Sequence, residues 1–143
     1  MTLLDLVVTD TSWITICRLD DLGAERGAAA LVHGRQVALF RLMDDTVHAI
    51  QQHDPYSGAY VMSRGLVGSR GDVPTVTSPM YKQVFDLRTG ACLDAVGKQE
   101  IDLRIYPVQV IDGLVQILAG VAMDADDQEA AATTMTVGSG SAA

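Results

Sequence analysis

Cysteine is almost absent from this chain: Cys17 and Cys92 are the only two among 143 residues. Neither lies in a C-x-x-C or other paired ligand spacing, so a four-cysteine iron–sulfur or zinc centre is excluded. Both are expected as reduced core residues that pack like small hydrophobes. Histidine is nearly as scarce, with three, and His33 and His48 are expected on strands, where they do not converge with Cys17 on one ion. No apolar run approaches the ~20 residues that span a bilayer. The opening MTLLDLVVTD has no basic region and carries Asp5 and Asp10, so no secretory signal is read and a cytoplasmic location is expected. The ten Lys and Arg are scattered and form no run. Phosphate binding requires a concentrated basic face, so neither nucleic acid nor a membrane surface is an expected partner. No Ser-His-Asp, G-x-S-x-G or H-E-x-x-H pattern is present, and no autonomous catalytic site can be read.

What is present is one domain's worth of foldable chain, with 48% hydrophobic residues and a mean hydropathy of +0.20. Net charge is −8. Half of that excess comes from Asp124, Asp126, Asp127 and Glu129, in a stretch without Lys or Arg. Residues 1–12 are expected as a leader and 13–120 as the folded domain. Residues 121–143, acidic and then rich in Ala, Thr, Gly and Ser, are expected as a disordered tail.

The domain reads as all-β. Trp13-Ile14-Thr15-Ile16-Cys17-Arg18 is rich in β-branched and aromatic residues. Ala29–His33 and Gln36–Leu42 flank a tight hairpin at Gly34-Arg35, Met43–Thr46 turns, and Val47–Gln51 is the next strand. Ile101–Ile111 and Leu114–Leu118 flank Asp112-Gly113, a strong hairpin signal, with Pro107 marking an edge or a bulge. Short strands at this spacing indicate an antiparallel sandwich or barrel. Between them, residues 52–98 hold three of the four prolines and are expected as a small loop-rich subdomain. Gly65, Gly68 and Gly71, interleaved with Arg64 and Arg70, lack the context of a phosphate cradle and are expected as a loop with a solvated basic rim.

Two stretches in this subdomain carry the chemistry. His53-Asp54-Pro55-Tyr56-Ser57-Gly58-Ala59 follows the frame C-P-H-x-G-A. Ser78-Pro79-Met80-Tyr81-Lys82-Gln83-Val84-Phe85-Asp86-Leu87-Arg88-Thr89-Gly90 follows C-P-x-H-G-x-x-F-D-x-x-T-G. These are the two ligand loops of a Rieske 2Fe-2S domain, and over residues 13–120 the chain resembles that family. The resemblance implies an antiparallel β-sandwich with a small loop-bearing subdomain. Asp54, Tyr56, Ser78 and Tyr81 stand at the four ligand positions. They are hard oxygen donors where a cluster needs thiolate and imidazole, so no metal is expected in this chain. The departure from the Rieske pattern is itself similar to the small subunit of NADH-dependent nitrite reductase. That resemblance implies a non-redox subunit supporting a large subunit that carries siroheme, a 4Fe-4S cluster and flavin (FAD) and reduces nitrite to ammonium. Two rival roles are a Rieske-type ferredoxin electron carrier and a stand-alone cluster-free module with a ligand in the vacated site.

Three expectations follow for the site. Tyr56 and Tyr81 fill the cluster volume, with Asp54 and Ser78 as partners for their hydroxyls. Pro55, Tyr56, Met80, Tyr81 and Lys82 form the docking tip for the large subunit. His53 beside Asp54 supplies only two ligands and is read as a structural or exposed histidine.

Overall fold

The computed structural model describes residues 12–118. The expected leader, apart from Ser12, and the expected tail lie outside them. Among the described residues, eleven strands run antiparallel in three sheets. The first contains β1 (Trp13–Arg18), β11 (Leu114–Leu118) and β10 (Val108–Ile111). The second contains β2 (Gly27–Val32), β3 (Arg35–Arg41), β4 (Val47–Gln51) and the short β9 (Ile105–Tyr106). The third contains β5 (Leu66–Arg70), β6 (Val73–Thr77), β7 (Val84–Asp86) and β8 (Cys92–Asp94). The all-β, antiparallel architecture read from the sequence is therefore the observed one.

β3 is the centre of the molecule. Side chains alternate across a strand, and here both faces are buried. Val37 and Leu39 pack with Leu22, Ala49, Tyr106, Val115 and Ile117 towards the first sheet. Ala38 and Phe40 pack with Ile50, Met62, Val76, Phe85 and Leu87 towards the third. One strand thus serves two cores and fixes the loop-bearing sheet against the sandwich.

Local chemistry explains where strands stop. The β2–β3 turn is His33-Gly34, with φ of 51° and 79°. Positive φ at both central positions is the type I′ geometry that matches strand twist, so His33 sits in the turn and not on a strand. Asp112-Gly113 repeats the pattern with 53° and 76°. Residues 101–104, expected in a strand, are irregular. Their bonding goes to the second loop and to the ends of β4 and β8 instead: Leu103 N–H donates to Gly90 O at 2.8 Å, Arg104 N–H to Gln51 Oε1 at 2.7 Å, and Asp102 Oδ1 accepts from Cys92 N–H at 2.8 Å. The Gly65–Gly71 stretch is not a loop with a basic rim. Leu66–Arg70 pairs in register with Val73–Thr77, and Gly71 at φ 61° makes the tight turn between them.

Candidate functional site

The two loops that carry the Rieske frame lie next to each other, and their closest link is polar. Asp54 and Ser78 are both fully buried, and Ser78 Oγ donates to Asp54 Oδ2 at 2.6 Å. Asp54 Oδ1 also accepts from Tyr56 N–H at 2.9 Å and Ser57 N–H at 3.4 Å, while its own N–H donates to Ala59 O at 2.8 Å. Across the gap, Ser78 Oγ accepts from Met80 N–H at 3.1 Å, and Ser78 N–H donates to Gln83 O at 2.8 Å. Each residue organises its own turn and grips the other's.

The tyrosines behave differently from expectation. Asp54 spends its carboxylate on two backbone N–H groups and the Ser78 hydroxyl, and neither tyrosine hydroxyl bonds to it. The Tyr56 ring packs on Phe85 with centroids 6.3 Å apart. Its hydroxyl reaches the 99–101 segment, donating to Gln99 O at 2.7 Å and accepting from Ile101 N–H at 2.9 Å, with Cys92 Sγ 3.5 Å away. Tyr81 is 50% exposed and joins no network with Asp54, Ser78 or Tyr56. The four-residue cluster is therefore a buried Asp54–Ser78 pair, one tethered tyrosine and one solvent-facing tyrosine.

Burial, helped by the Cys92 thiol and the nearby Glu100 charge, outweighs the Ile101 N–H and pushes the Tyr56 phenol up to about 12. A raised phenol favours the neutral form, so its contribution to stability is complete below the ordinary tyrosine pKa near 10 and is lost as pH rises towards 12. In an ultraviolet titration, one of the four tyrosines should ionise near pH 12, and Tyr56→Phe should remove that step. An unchanged titration in the variant would show that the tether to residues 99–101 does not form.

Lys82 sits where the Rieske frame has glycine, and its φ is 70°. The left-handed backbone of the loop is kept although the side chain is no longer glycine. Asp86, in the F-D of the second loop, is buried beside half-exposed Arg88. Burial alone would raise its carboxyl, but hydrogen bonds from the Arg88 side chain and backbone, with the guanidinium charge, hold it below the usual range. His53 stacks at a tilt on Tyr60, with centroids 5.2 Å apart. Phe40 and Phe85 are core, as expected. Cys92 is buried, whereas Cys17 is partly exposed.

One element of the site was not legible in the sequence. Tyr56, Met80, Tyr81, Lys82 and Gln83 line one side of a solvent-open recess of about 730 Å³, with Val96 and Lys98 on the other. Gln83 is fully buried, and neither atom of its side-chain amide has a hydrogen-bond partner. A glutamine next to a lysine in a loop gives no sequence signal for such burial.

A Rieske-like domain profile, described as Rieske-like [2Fe-2S], matches residues 12–118. The nitrite reductase (NADH) small subunit of Salmonella typhimurium is 38% identical over 108 residues, 75% of this chain and 97% of that one. The chain belongs to the Rieske-like family, among the nitrite reductase small subunits. A crystal structure of an NADH-dependent nitrite reductase small subunit from Mycobacterium tuberculosis matches with 45% identity and a TM-score of 0.69, over 76% of this chain and 95% of that one. A polypeptide of Klebsiella oxytoca named as the nitrite reductase [NAD(P)H] large subunit is 43% identical over 105 residues. That match takes in 73% of this chain and only 11% of the Klebsiella polypeptide.

The family description implies a 2Fe-2S cluster, and the residues here do not fit one. The four ligand positions offer a carboxylate, two phenols and an alcohol, which are hard donors unsuited to iron–sulfide. The carboxylate and alcohol are bonded to each other, and the Tyr56 phenol is bonded to a different segment. Among the described residues, no cluster of three or more His, Cys, Asp or Glu is arranged to hold a metal ion.

Proposed function

We propose that this chain is the non-redox small subunit of a cytoplasmic NADH-dependent nitrite reductase, docking on and stabilising the large subunit that reduces nitrite to ammonium. Siroheme, a 4Fe-4S cluster and FAD belong to that partner in this reading. The observation that carries it is the retained two-loop frame with Asp54 hydrogen-bonded to Ser78 at 2.6 Å between positions that hold ligands in Rieske domains. A frame kept rigid without its metal is suited to presenting a surface, not to passing electrons. The Klebsiella polypeptide supports the same reading, because a related segment is covalently part of a chain named as the large subunit. Permanent attachment favours a resident domain over a diffusing carrier.

The tip formed by Pro55, Tyr56, Met80, Tyr81 and Lys82 is the docking face in this proposal. Met80 and Tyr81 are 44% and 50% exposed, and aromatic and methionine side chains are enriched in interface cores. The test is reconstitution. The purified large subunit should show low NADH-dependent nitrite reduction alone, and adding this chain should restore it. Full activity of the large subunit without this chain would overturn the proposal.

A further inference from the structure

We infer that the recess beside the tip receives an acidic, extended segment of the partner polypeptide. Its carboxylates would pair with Lys82 and Lys98, and a peptide group would meet the Gln83 amide. The inference rests on the docking reading above and adds the chemistry of what docks.

Charge is the first argument. The chain has only two lysines, and both line this recess. Among the described residues no carboxylate lines it, although the chain carries a net −8. Neither ammonium forms an ion pair among the described residues. Lys82 Nζ has only the Pro79 carbonyl oxygen, at 3.3 Å. Two unpaired cations converging on one opening in an acidic protein select for an anionic occupant.

Gln83 is the second argument. A buried amide with no partner gives up the hydrogen bonds that water makes to it in the unfolded chain. Both Nε2 and Oε1 are in this state. A peptide bond carries a donor and an acceptor side by side, the complement of a carboxamide. Met80 and Lys82, long unbranched side chains, line the recess beside Gln83. The volume of about 730 Å³ suits a few residues of extended chain.

The backbone is the third. Lys82 at φ 70° and Val96 at φ 54° both hold left-handed conformations on this rim. For a β-branched residue such a φ is a strained outlier, and strain of this kind concentrates at ligand clamps. The Val96-Gly97 turn, closed by Lys98 N–H to Ala95 O at 3.2 Å, is what brings Lys98 opposite Lys82.

The experiment uses the full chain and the purified large subunit, with affinity measured at low and high salt and hydrogen exchange measured on the complex. Lys82→Glu with Lys98→Glu should weaken binding by about 30-fold and flatten its salt dependence, whereas Arg26→Glu, exposed and away from the recess, should change it by less than about twofold. Gln83→Met should bind about 10-fold more weakly while melting at the same temperature or higher, a split that a merely structural glutamine would not produce. Protection of residues 80–83 and 96–98 in the complex, with binding insensitive to the lysine reversals, would overturn the acidic-segment inference and leave the docking reading standing. A complex that protects a different face, or no complex at all, would overturn both.

Discussion

Replacing Asp54 with alanine should lower the unfolding free energy by about 3 kcal/mol, because it strips a buried hydroxyl and two backbone N–H groups of their acceptor at once. Ser78 Oγ, Tyr56 N–H and Ser57 N–H all point at this carboxylate, and no water reaches the fully buried Asp54 and Ser78 side chains. Asp54→Asn keeps an acceptor for the Tyr56 turn, and the Ser78 hydroxyl can rotate to accept from the new amide. It should therefore cost only about 1 kcal/mol. Urea unfolding of the two variants reads the difference as a midpoint shift at constant slope. A loss below about 0.5 kcal/mol for the alanine variant would mean that this pair does not tie the loops together. A double-mutant cycle with Ser78→Ala should return a coupling of about 1–2 kcal/mol, since the residues share one short hydrogen bond.

Gly90→Ala should be equally severe, at about 3 kcal/mol, for two independent reasons that add. Gly90 holds φ 81°, and a methyl group there would fall on the carbonyl oxygen of Leu103 and crowd Ile105. The position is pinned from both sides, with Gly90 N–H donating to Asp86 O at 2.7 Å and Leu103 N–H donating to Gly90 O at 2.8 Å. The backbone cannot retreat without releasing the irregular 101–104 segment and, through it, the Tyr56 tether. Gly34→Ala is the control: φ is 79°, but nothing lies near the added methyl, so only conformational strain of about 1 kcal/mol remains. Equal losses at the two positions, measured by thermal unfolding, would remove the steric part of the argument.

Much of this was legible in the sequence where local chemistry decides. Trp13–Arg18 and Leu114–Leu118 form strands over the bounds their β-branched pattern suggests, and Asp112-Gly113 turns where an Asp-Gly pair must. The two-loop frame, with oxygen donors at Asp54, Tyr56, Ser78 and Tyr81, pointed to the family. Apart from His33, which the type I′ turn takes off its strand, the misses are cases where distant residues decide. Leu66–Arg70 reads locally as a loop because Gly65, Gly68 and Gly71 are interleaved with Arg64 and Arg70, yet β5 and β6 hold register throughout. The Tyr56 hydroxyl bonds to residues more than forty positions away, a choice set by where the 99–101 segment is folded. Gln83 and its recess depend on how the 95–98 turn folds back over the second loop, which no local pattern encodes.

Residues 37–40 of β3 belong alternately to two cores, so there is no seam along which the sheet bearing the tip could part from the sandwich beneath it. Phe40 reaches Phe85 and Met62 under the loops, while its neighbour Leu39 is set among Val115 and Ile117 on the far side. The loops that carry the tip are thus set on one continuously packed body and not on a hinged lid. In the docking proposal, a subunit gripped there would be held by the whole molecule through this shared strand.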